Sequence, residues 1–225
     1  MTAAKVARGG QGARTAPGKG GKAANAAHAE LPREVRIIGG AWKRSKLPVA
    51  NRPGLRPTPD RVRETVFNWL GQSLVGWRCL DAFAGSGALG FEAASRGAAE
   101  VVLLERDPAL LSSLAASKAR LHAETLRIER ADAVQWMARA AAESFELVFL
   151  DPPFDSKLLA PALAAAARLI TPHGFVYVES GTASDTRSWE PGWQLFRSAR
   201  AGAVHFNLLR RATSEPDPFG SVGRP

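Results

Sequence analysis

Short apolar runs alternate with longer amphipathic segments through most of this chain. The apolar runs are WRCLDAF (77–83), VVLLE (101–105), LRIER (126–130), LVFLD (147–151) and FVYVES (175–180). The segments between them predict helices near residues 87–96, 108–122, 132–142 and 157–169. Apolar strands that alternate with helices are typical of a parallel sheet covered by helices on both faces. The predicted fold class is therefore α/β, with a mostly parallel, Rossmann-like sheet.

The two flanks of this alternating region predict different elements. Upstream, two short apolar pieces around residues 39–40 predict a small N-terminal β element. A helix is predicted to follow, with Thr58 as its cap, Pro59 in the first helical position and Gly71 just past its end. Downstream, two strand-like runs within residues 193–211 predict a terminal antiparallel hairpin that closes the sheet.

Composition divides the chain into four predicted regions. Residues 1–34 are rich in Gly, Ala, Lys and Arg and nearly free of large apolar side chains, which predicts a disordered basic tail. Residues 35–57 are expected to form the small β-hairpin extension and residues 58–213 the main α/β domain. Residues 214–225 are expected to form a flexible C-terminal tail.

The overall composition excludes several classes of protein. The chain has 225 residues and 45% hydrophobic content, and none of its apolar runs approaches the roughly 20 residues needed to span a bilayer. Its single cysteine, Cys79, allows no intrachain disulfide and is expected to be a small core residue. The four histidines lie far apart, so no metal site is expected. A cytoplasmic monomer fits these features best.

The positive charge of the chain is concentrated at one end. The net charge is +9, yet residues 1–63 contain 14 Lys and Arg against three acids, a balance of +11, while the remainder has 16 against 18, a balance of −2. Such asymmetry favours a polyanionic partner, most plausibly nucleic acid. A solubilising tail explains the excess within residues 1–33 equally well.

A glycine-rich loop follows the first predicted strand. Gly85, Gly87 and Gly90 fit the pattern G-x-G-x-x-G, and Glu105 ends the next strand, where its carboxylate can accept hydrogen bonds from ribose hydroxyls. Asp81 lies at the mouth of this loop, where it would repel the diphosphate of a dinucleotide but attract a cation. The charge pattern therefore favours S-adenosyl-L-methionine (SAM), which has a sulfonium and an ammonium group and no phosphate, over NAD.

Asp132 follows the third predicted strand in the sequence ERADAV. In this architecture an adenine would lie nearby, and the carboxylate could accept a hydrogen bond from its amine. The same side chain could equally cap the helix that begins at Ala133. The two roles are compatible, and the sequence favours neither.

The sequence DPPF ends the fourth predicted strand, beside the strand that carries Asp81. Ligands of open α/β sheets bind along this edge. Two prolines stiffen the turn and remove its N–H donors, which leaves the Asp151 carboxylate and the Pro152 carbonyl as acceptors. These acceptors could grip both hydrogens of an exocyclic amine on a base, while Phe154 stacks on its ring, a contact worth about 1–3 kcal/mol. A rigid turn without a ligand is the alternative.

Four stretches together resemble a known family: LDAFAGSGALGFEAASRGA, LERD, LVFLDPPF, and RIIGGAWKRSKL with RPTPDRVRETVFNWL. They are similar to the bacterial small-subunit rRNA guanine-N2 methyltransferases of the RsmD type. The resemblance covers roughly residues 35 to 211, and its last stretch is the most specific. It implies a methyltransferase domain at residues 58–213. The implied activity is SAM-dependent N2-methylation of one guanine in 16S rRNA of an assembling small ribosomal subunit.

The resemblance also assigns expected roles to individual residues. The base would be held by Asp151, Pro152, Pro153 and Phe154. The cofactor would be held by Asp81, Phe83, Gly85, Ser86, Gly87, Leu89, Glu105, Arg106, Asp132 and Ala133. The basic tail before residue 34 departs from the usual family pattern.

Basic side chains upstream of the glycine loop are candidates for RNA contacts, provided that the hairpin and the first helix flank the catalytic edge. They are Arg36, Lys43, Arg44, Lys46, Arg52, Arg56, Arg61 and Arg63. About half of them are expected to neutralise phosphates, and the rest to solvate the surface. Trp42 is expected to pack against the core rather than stack on a base.

Other functions compete with this interpretation. The same chemistry could act on DNA adenine N6 or protein glutamine N5, although 225 residues leave no separate DNA-recognition domain and Asp replaces the Asn usual in the glutamine group. An NAD-dependent oxidoreductase is supported only by the glycine spacing. A non-catalytic RNA-binding module is disfavoured by the intact loop, acids and DPPF.

Overall fold

The structure, a computed structural model, describes residues 34–50, 57–153, 156–180, 192–202 and 204–212. The predicted basic tail at 1–34, apart from Glu34, and the predicted C-terminal tail at 214–225 lie outside the described residues, as do Arg52, Arg56 and Phe154. The strands are β1 (Glu34–Arg36), β2 (Lys46–Pro48), β3 (Arg78–Asp81), β4 (Glu100–Glu105), β5 (Leu126–Arg130), β6 (Phe145–Leu150), β7 (Ile170–Ser180), β8 (Trp193–Ala201) and β9 (Val204–Arg211). The helices are α1 (Asp60–Trp69), α2 (Ala88–Ser95), α3 (Pro108–Leu121), α4 (Ala133–Arg139) and α5 (Leu159–Leu169).

Seven strands form one sheet in the order β5-β4-β3-β6-β7-β9-β8. The first five pair in parallel, and β9 pairs antiparallel with both β7 and β8. The predicted parallel sheet and its closing antiparallel hairpin are therefore confirmed. Because β3 lies next to both β4 and β6, the chain reverses its direction of winding at β3. This arrangement opens a crevice at the carboxyl ends of the strands.

Apolar side chains cover both faces of the sheet. One core cluster joins the sheet to α1, α2 and α3 and contains Phe67, Phe91 and Leu114. The other joins it to α4 and α5 and contains Met137 and Leu163. Cys79 is fully buried in the first cluster, as expected for a core residue. None of the helices in the described part of the chain is long and apolar enough to cross a membrane.

The small N-terminal β element is the antiparallel pair β1–β2. Its apolar side chains Val35, Ile37 and Leu47 are buried in the core cluster of α1 to α3, so it packs directly on the main domain. Trp42 is partly buried and packs against the same cluster, as predicted.

Three predictions about the first helix are wrong. The helix begins at Asp60 and its N-cap residue is Pro59, so Pro59 does not occupy the first helical position. No side chain caps the helix, so Thr58 does not have the predicted capping role. Arg63 is completely buried instead of facing RNA. It donates to Glu92 Oε2 at 3.0 Å and to Asp60 Oδ1 at 2.7 Å, because a guanidinium removed from water needs carboxylate partners.

The carboxylate of Glu92 ties the N-terminal segment to α2. It accepts the backbone N–H groups of Ile38 and Gly39, each at 2.8 Å, in addition to the guanidinium groups of Arg63 and Arg96. All of these charges are compensated inside the protein. The stretch of sequence most specific to the suspected family thus includes residues that hold the fold together.

Candidate active site

The carboxyl ends of β3, β6 and β7 open into a cavity of about 520 Å³. Each of these three neighbouring strands presents an acid there: Asp81 at the end of β3, Asp151 just after β6, and Glu179 next to the end of β7. The residues predicted to hold a cofactor also line this cavity, apart from Gly87. The sheet topology therefore brings the glycine loop and DPP into one site.

The glycine loop has a backbone conformation that favours glycine. Gly85 and Gly87 have φ of +53° and +78°, values that residues with a Cβ rarely adopt. Gly87 is the N-cap residue of α2, and the third glycine, Gly90, donates its N–H to Asp81 Oδ2 at 3.0 Å. The loop thus turns sharply and holds the Asp81 carboxylate in place.

Gly87→Ala is expected to destabilise the fold by about 2 kcal/mol. The new Cβ would lie 2.6 Å from Leu114 Cδ2 and 2.7 Å from Phe91 Cδ2, in addition to the unfavourable positive φ. Urea unfolding followed by circular dichroism measures the change. Gly71→Ala is the matched control, since Gly71 also has positive φ, of +87°, but no atom lies within 4 Å of its added Cβ. Equal effects from both substitutions would show that the φ angle alone matters.

Asp81 is almost completely buried, with 3% exposure. Burial, assisted by the nearby charge of Glu105, raises its pKa to about 7, although the backbone N–H groups of Gly90 and Phe83 oppose the shift by hydrogen bonding to the carboxylate. A buried carboxylate with a pKa near neutrality is stabilised in its charged form by a cationic ligand. This is the property expected of a residue that binds an ammonium or sulfonium group.

Glu105 is held rigidly at the end of β4. Its Oε2 accepts the N–H of Gly85 at 2.9 Å, and its Oε1 accepts those of Arg106 at 2.6 Å and Asp107 at 2.9 Å. The side chain therefore joins the glycine loop to the start of α3 and presents its carboxylate to the cavity. An acceptor fixed in this way suits a pair of ribose hydroxyls.

Asp132 caps α4, one of the two roles that the sequence left open. Its Oδ1 accepts the N–H of Gln135 at 3.1 Å, and its Oδ2 lies 3.5 Å from Nη1 of Arg106. Asp132 also lines the cavity, together with Ala133 and Arg106, so its second predicted role remains compatible with its position.

Asp151 lies half-buried where β6 meets the proline turn. Burial and the charges of Glu179 and Asp81 raise its pKa well above the usual range, while the Thr58 hydroxyl opposes the shift by donating a hydrogen bond. The Pro153 carbonyl is already engaged, since it accepts both the N–H and the hydroxyl of Ser156 at 2.9 and 2.6 Å. These two hydrogen bonds stabilise the turn, and Asp151 and Pro152 line the cavity.

Sequence reasoning missed three residues of this site. Thr58 was interpreted as a helix cap, yet its hydroxyl bonds Asp151. Glu179 lines the cavity, and Tyr177 donates its phenolic hydroxyl to Glu179 Oε1 at 2.7 Å. One signal was available: FVYVES, like LVFLD, is an apolar strand with an acid near its carboxyl end.

The basic candidates for RNA contacts occupy different places. Arg36 and Lys46 are exposed and pair with Asp60 and Glu34. Lys43 and Arg44 are exposed on a turn whose neighbouring residues bond to Ser95, the last residue of α2. That end lies roughly 10 Å along the helix axis from the glycine loop. Arg61 is exposed on α1. With Arg63 buried, the exposed candidates among the described residues are Arg36, Lys43, Arg44, Lys46 and Arg61.

Comparison with known proteins shows the family of this chain. A family model described as conserved hypothetical protein 95 matches residues 35–210. The chain belongs to this family. An Escherichia coli K12 relative named ribosomal RNA small subunit methyltransferase D is 42% identical over 191 residues, which cover 82% of this chain and 94% of the relative. A Haemophilus influenzae relative of the same name is 39% identical, with 79% and 94% covered.

Solved structures of similar proteins have the same fold. A structure described as putative methyltransferase yhhF from Escherichia coli has a TM-score of 0.69 and 38% identity, and the match covers 79% of this chain and 98% of that one. A precorrin-6y C5,15-methyltransferase from Geobacter metallireducens, 17% identical with a TM-score of 0.58, shares the fold alone. The expectation of an RsmD-type methyltransferase with a Rossmann-like fold is thereby confirmed, and the protein is an enzyme.

Proposed function

We propose that this RsmD-type enzyme transfers a methyl group from SAM to the exocyclic N2 of one guanine in 16S rRNA while the small ribosomal subunit assembles. The observation that supports this best is the row of three acids at the carboxyl ends of β3, β6 and β7, facing one cavity. Asp81 suits the cationic end of the cofactor, and Asp151 suits an amine on a base. The names of the relatives support rRNA as the substrate.

The residues around the glycine loop fit SAM. Asp81 would hold the ammonium and sulfonium groups, and the fixed carboxylate of Glu105 would accept from the ribose hydroxyls. Arg106, Asp132 and Ala133 would hold the base of the nucleoside, and Phe83, Ser86 and Leu89 also line the cavity. When bound, SAM supplies a methyl group that its positive sulfur has already activated.

Asp151 and the Pro152 carbonyl hold the amine of the base. Two acceptors on a stiff turn grip its two hydrogens and direct its nitrogen towards the methyl group. In-line positioning of this kind can supply several kcal/mol of the barrier. The product nitrogen then loses a proton to Asp151 or to water. Phe154, the stacking residue predicted from the sequence, lies outside the described residues.

We place the RNA-facing surface around the cavity mouth. Arg36, Lys46 and Arg61 are exposed, and Arg36 bonds to Asp60 at the start of α1, the helix that begins just after the cavity residues Thr58 and Pro59. Arg52 and Arg56 remain candidates for RNA contacts from the sequence alone, because they lie outside the described residues.

Thr58→Ala is expected to move the acidic limb of the kcat/KM profile to higher pH. The hydroxyl stabilises ionised Asp151, so its loss raises the pKa of that carboxyl further, and a larger fraction of the acceptor is protonated at a given pH. Methyl-transfer rates measured from pH 5.5 to 9 with wild type and variant test this. Thr65→Ala is the control, because its hydroxyl bonds the Arg61 carbonyl on exposed α1. An unshifted limb in Thr58→Ala would contradict the hydrogen bond's role.

The decisive experiment uses tritiated SAM with assembling small subunits, deproteinised 16S rRNA and duplex DNA as acceptors. Nucleoside analysis of the digested product then locates the label. Label in N2-methylguanosine from either RNA acceptor is the expected result, and comparison of the two shows whether ribosomal proteins complete the substrate. Label in N6-methyladenine, or in no acceptor despite SAM binding, would redirect the assignment to DNA or to protein glutamine.

A further inference from the structure

Glu179 is a buried acid that faces the substrate side of the cavity. It is 4% exposed, and it lines the same cavity as Asp151, Pro152 and Thr58. The position is determined by strand register, because Leu150 pairs with Val178 in the parallel β6–β7 ladder and Asp151 and Glu179 are the next residues of each strand. The two carboxylates therefore occupy neighbouring positions at the sheet edge.

Both side chains also point to the same face of the sheet. Residues two apart in a strand point to the same face. Glu179 therefore shares a face with Tyr177, and Asp151 shares that face with Phe149. The rings of Tyr177 and Phe149 pack on that face with their centroids 5.9 Å apart. If the exocyclic amine of a base bonds to Asp151, the ring nitrogen beside that amine consequently lies towards Glu179.

The hydroxyl of Tyr177 orients the carboxyl group of Glu179. It donates to Glu179 Oε1 at 2.7 Å and so holds this side chain at the cavity wall. An ionised carboxylate accepts hydrogen bonds and donates none. When Asp151 and Glu179 are both ionised, the amine and its neighbour therefore face two acceptors, on adjacent strands.

Only some bases fit two adjacent acceptors. Guanine presents its 2-amino group and its N1–H side by side, so both groups on this edge are donors. Adenine and cytosine also have an exocyclic amine, but the adjacent ring nitrogen is an acceptor and would face a carboxylate without a proton between them. Buried polar groups left unpaired in this way reject a wrong substrate strongly.

We propose that Glu179 reads the N1–H of the target guanine and thereby determines the specificity of the enzyme for guanine. This inference rests on the proposed function, in which Asp151 holds the 2-amino group of the same base. Glu179 contacts the base beside the reacting nitrogen but does not touch the methyl donor.

The test compares guanine with 2-aminopurine at the target position. 2-Aminopurine keeps the 2-amino group, but its N1 is an acceptor. Wild-type enzyme first labels 16S rRNA to identify the methylated nucleotide, which is then replaced by ligating a synthetic oligonucleotide into the RNA. We measure kcat/KM on both RNAs for wild type, Glu179→Gln, Tyr177→Phe and Glu129→Gln. Glu129 is the matched control, since its carboxylate bonds Trp136 Nε1 and does not line the cavity.

Wild type is expected to prefer guanine by at least about 100-fold. Glu179→Gln should reduce this preference to below about 10-fold, because its amide can donate to N1 of 2-aminopurine as well as accept from guanine. Tyr177→Phe keeps the carboxylate and should retain a preference for guanine, and Glu129→Gln should behave as wild type. SAM affinity within about threefold of wild type shows that each variant is folded.

Two results would overturn the proposal while leaving the proposed function intact. One is equal use of guanine and 2-aminopurine by wild type, and this result needs no variant. The other is an unchanged preference in Glu179→Gln. If wild type forms no N2-methylguanosine in the first step, the proposed function itself fails and the role of Glu179 fails with it.

Discussion

Asp151→Asn is expected to reduce the rate of methyl transfer by about 10³-fold and to leave SAM affinity within about threefold of wild type. The substituted amide has nearly the same shape, and its oxygen can still accept the Thr58 hydroxyl that bonds Asp151. It replaces one acceptor oxygen by an NH₂ donor, which points at the amine of the base and repels it. Single-turnover measurements with saturating SAM report the chemical step, and calorimetry reports SAM binding.

Asp151→Ala provides the comparison for this prediction. It removes the acceptor without adding a donor, so it should also abolish turnover, with SAM affinity again within a few-fold. Near-normal methylation by either variant would show that the carboxylate neither holds the amine nor takes its proton. Loss of SAM binding together with turnover would instead place Asp151 in the cofactor site.

Asp81→Asn is expected to weaken SAM binding by about 100-fold. The buried carboxylate has a pKa of about 7, and a cationic ligand stabilises its ionised form. In wild type, protons therefore compete with SAM below pH 7, and the affinity should fall by up to tenfold per pH unit between pH 7 and 5.5. The asparagine side chain of the variant does not titrate, so its affinity for SAM should change little between pH 7 and 5.5. Calorimetric titrations at four pH values provide the measurement.

The raised pKa of Asp81 also affects the stability of the ligand-free protein, and here a lower pH is favourable, whereas it weakens SAM binding. A pKa raised from 3.8 means that the folded protein binds more protons than the unfolded chain between about pH 4 and 7, so stability falls as pH rises through this window. At pH 8, Asp81→Asn should therefore be more stable than wild type, by up to a few kcal/mol, and the difference should vanish below pH 4. A variant less stable than wild type at pH 8 would mean that the buried charge has a compensating partner in the free protein.

The acids of this site destabilise the folded protein and favour binding of its ligands. Three buried or half-buried acids converge on one cavity, and burial raises the pKa of Asp81 and Asp151. A cationic cofactor and a base that presents donors would relieve this repulsion. The preorganised acceptors thus lower the stability of the free enzyme, as is common at active sites.

Much of the fold could be predicted because the relevant signals are local. Apolar runs bounded by helices predicted the strands of the parallel sheet, and the glycine spacing predicted a loop after the first of them, where Gly85 and Gly87 have positive φ. The end of α1 just before Gly71 was also predicted, because glycine is common just past the end of a helix. Element boundaries were less accurate: β7 begins at Ile170 rather than residue 175, and α4 ends at Arg139 rather than residue 142.

The sequence by itself determined the α/β class, the glycine loop, the acids Asp81 and Glu105 and the stiff turn after Asp151, because each depends on residues close together in the chain. Only the tertiary structure decided which side chains from distant parts of the chain come into contact. Arg63 is an arginine like its neighbours in the sequence, yet it is buried and donates to Glu92, 29 residues away. Likewise, Thr58 and Glu179 reach Asp151 only because α1 begins beside the cavity and β7 lies next to β6. Burial and pairing depend on the packing of distant segments, which no local pattern encodes.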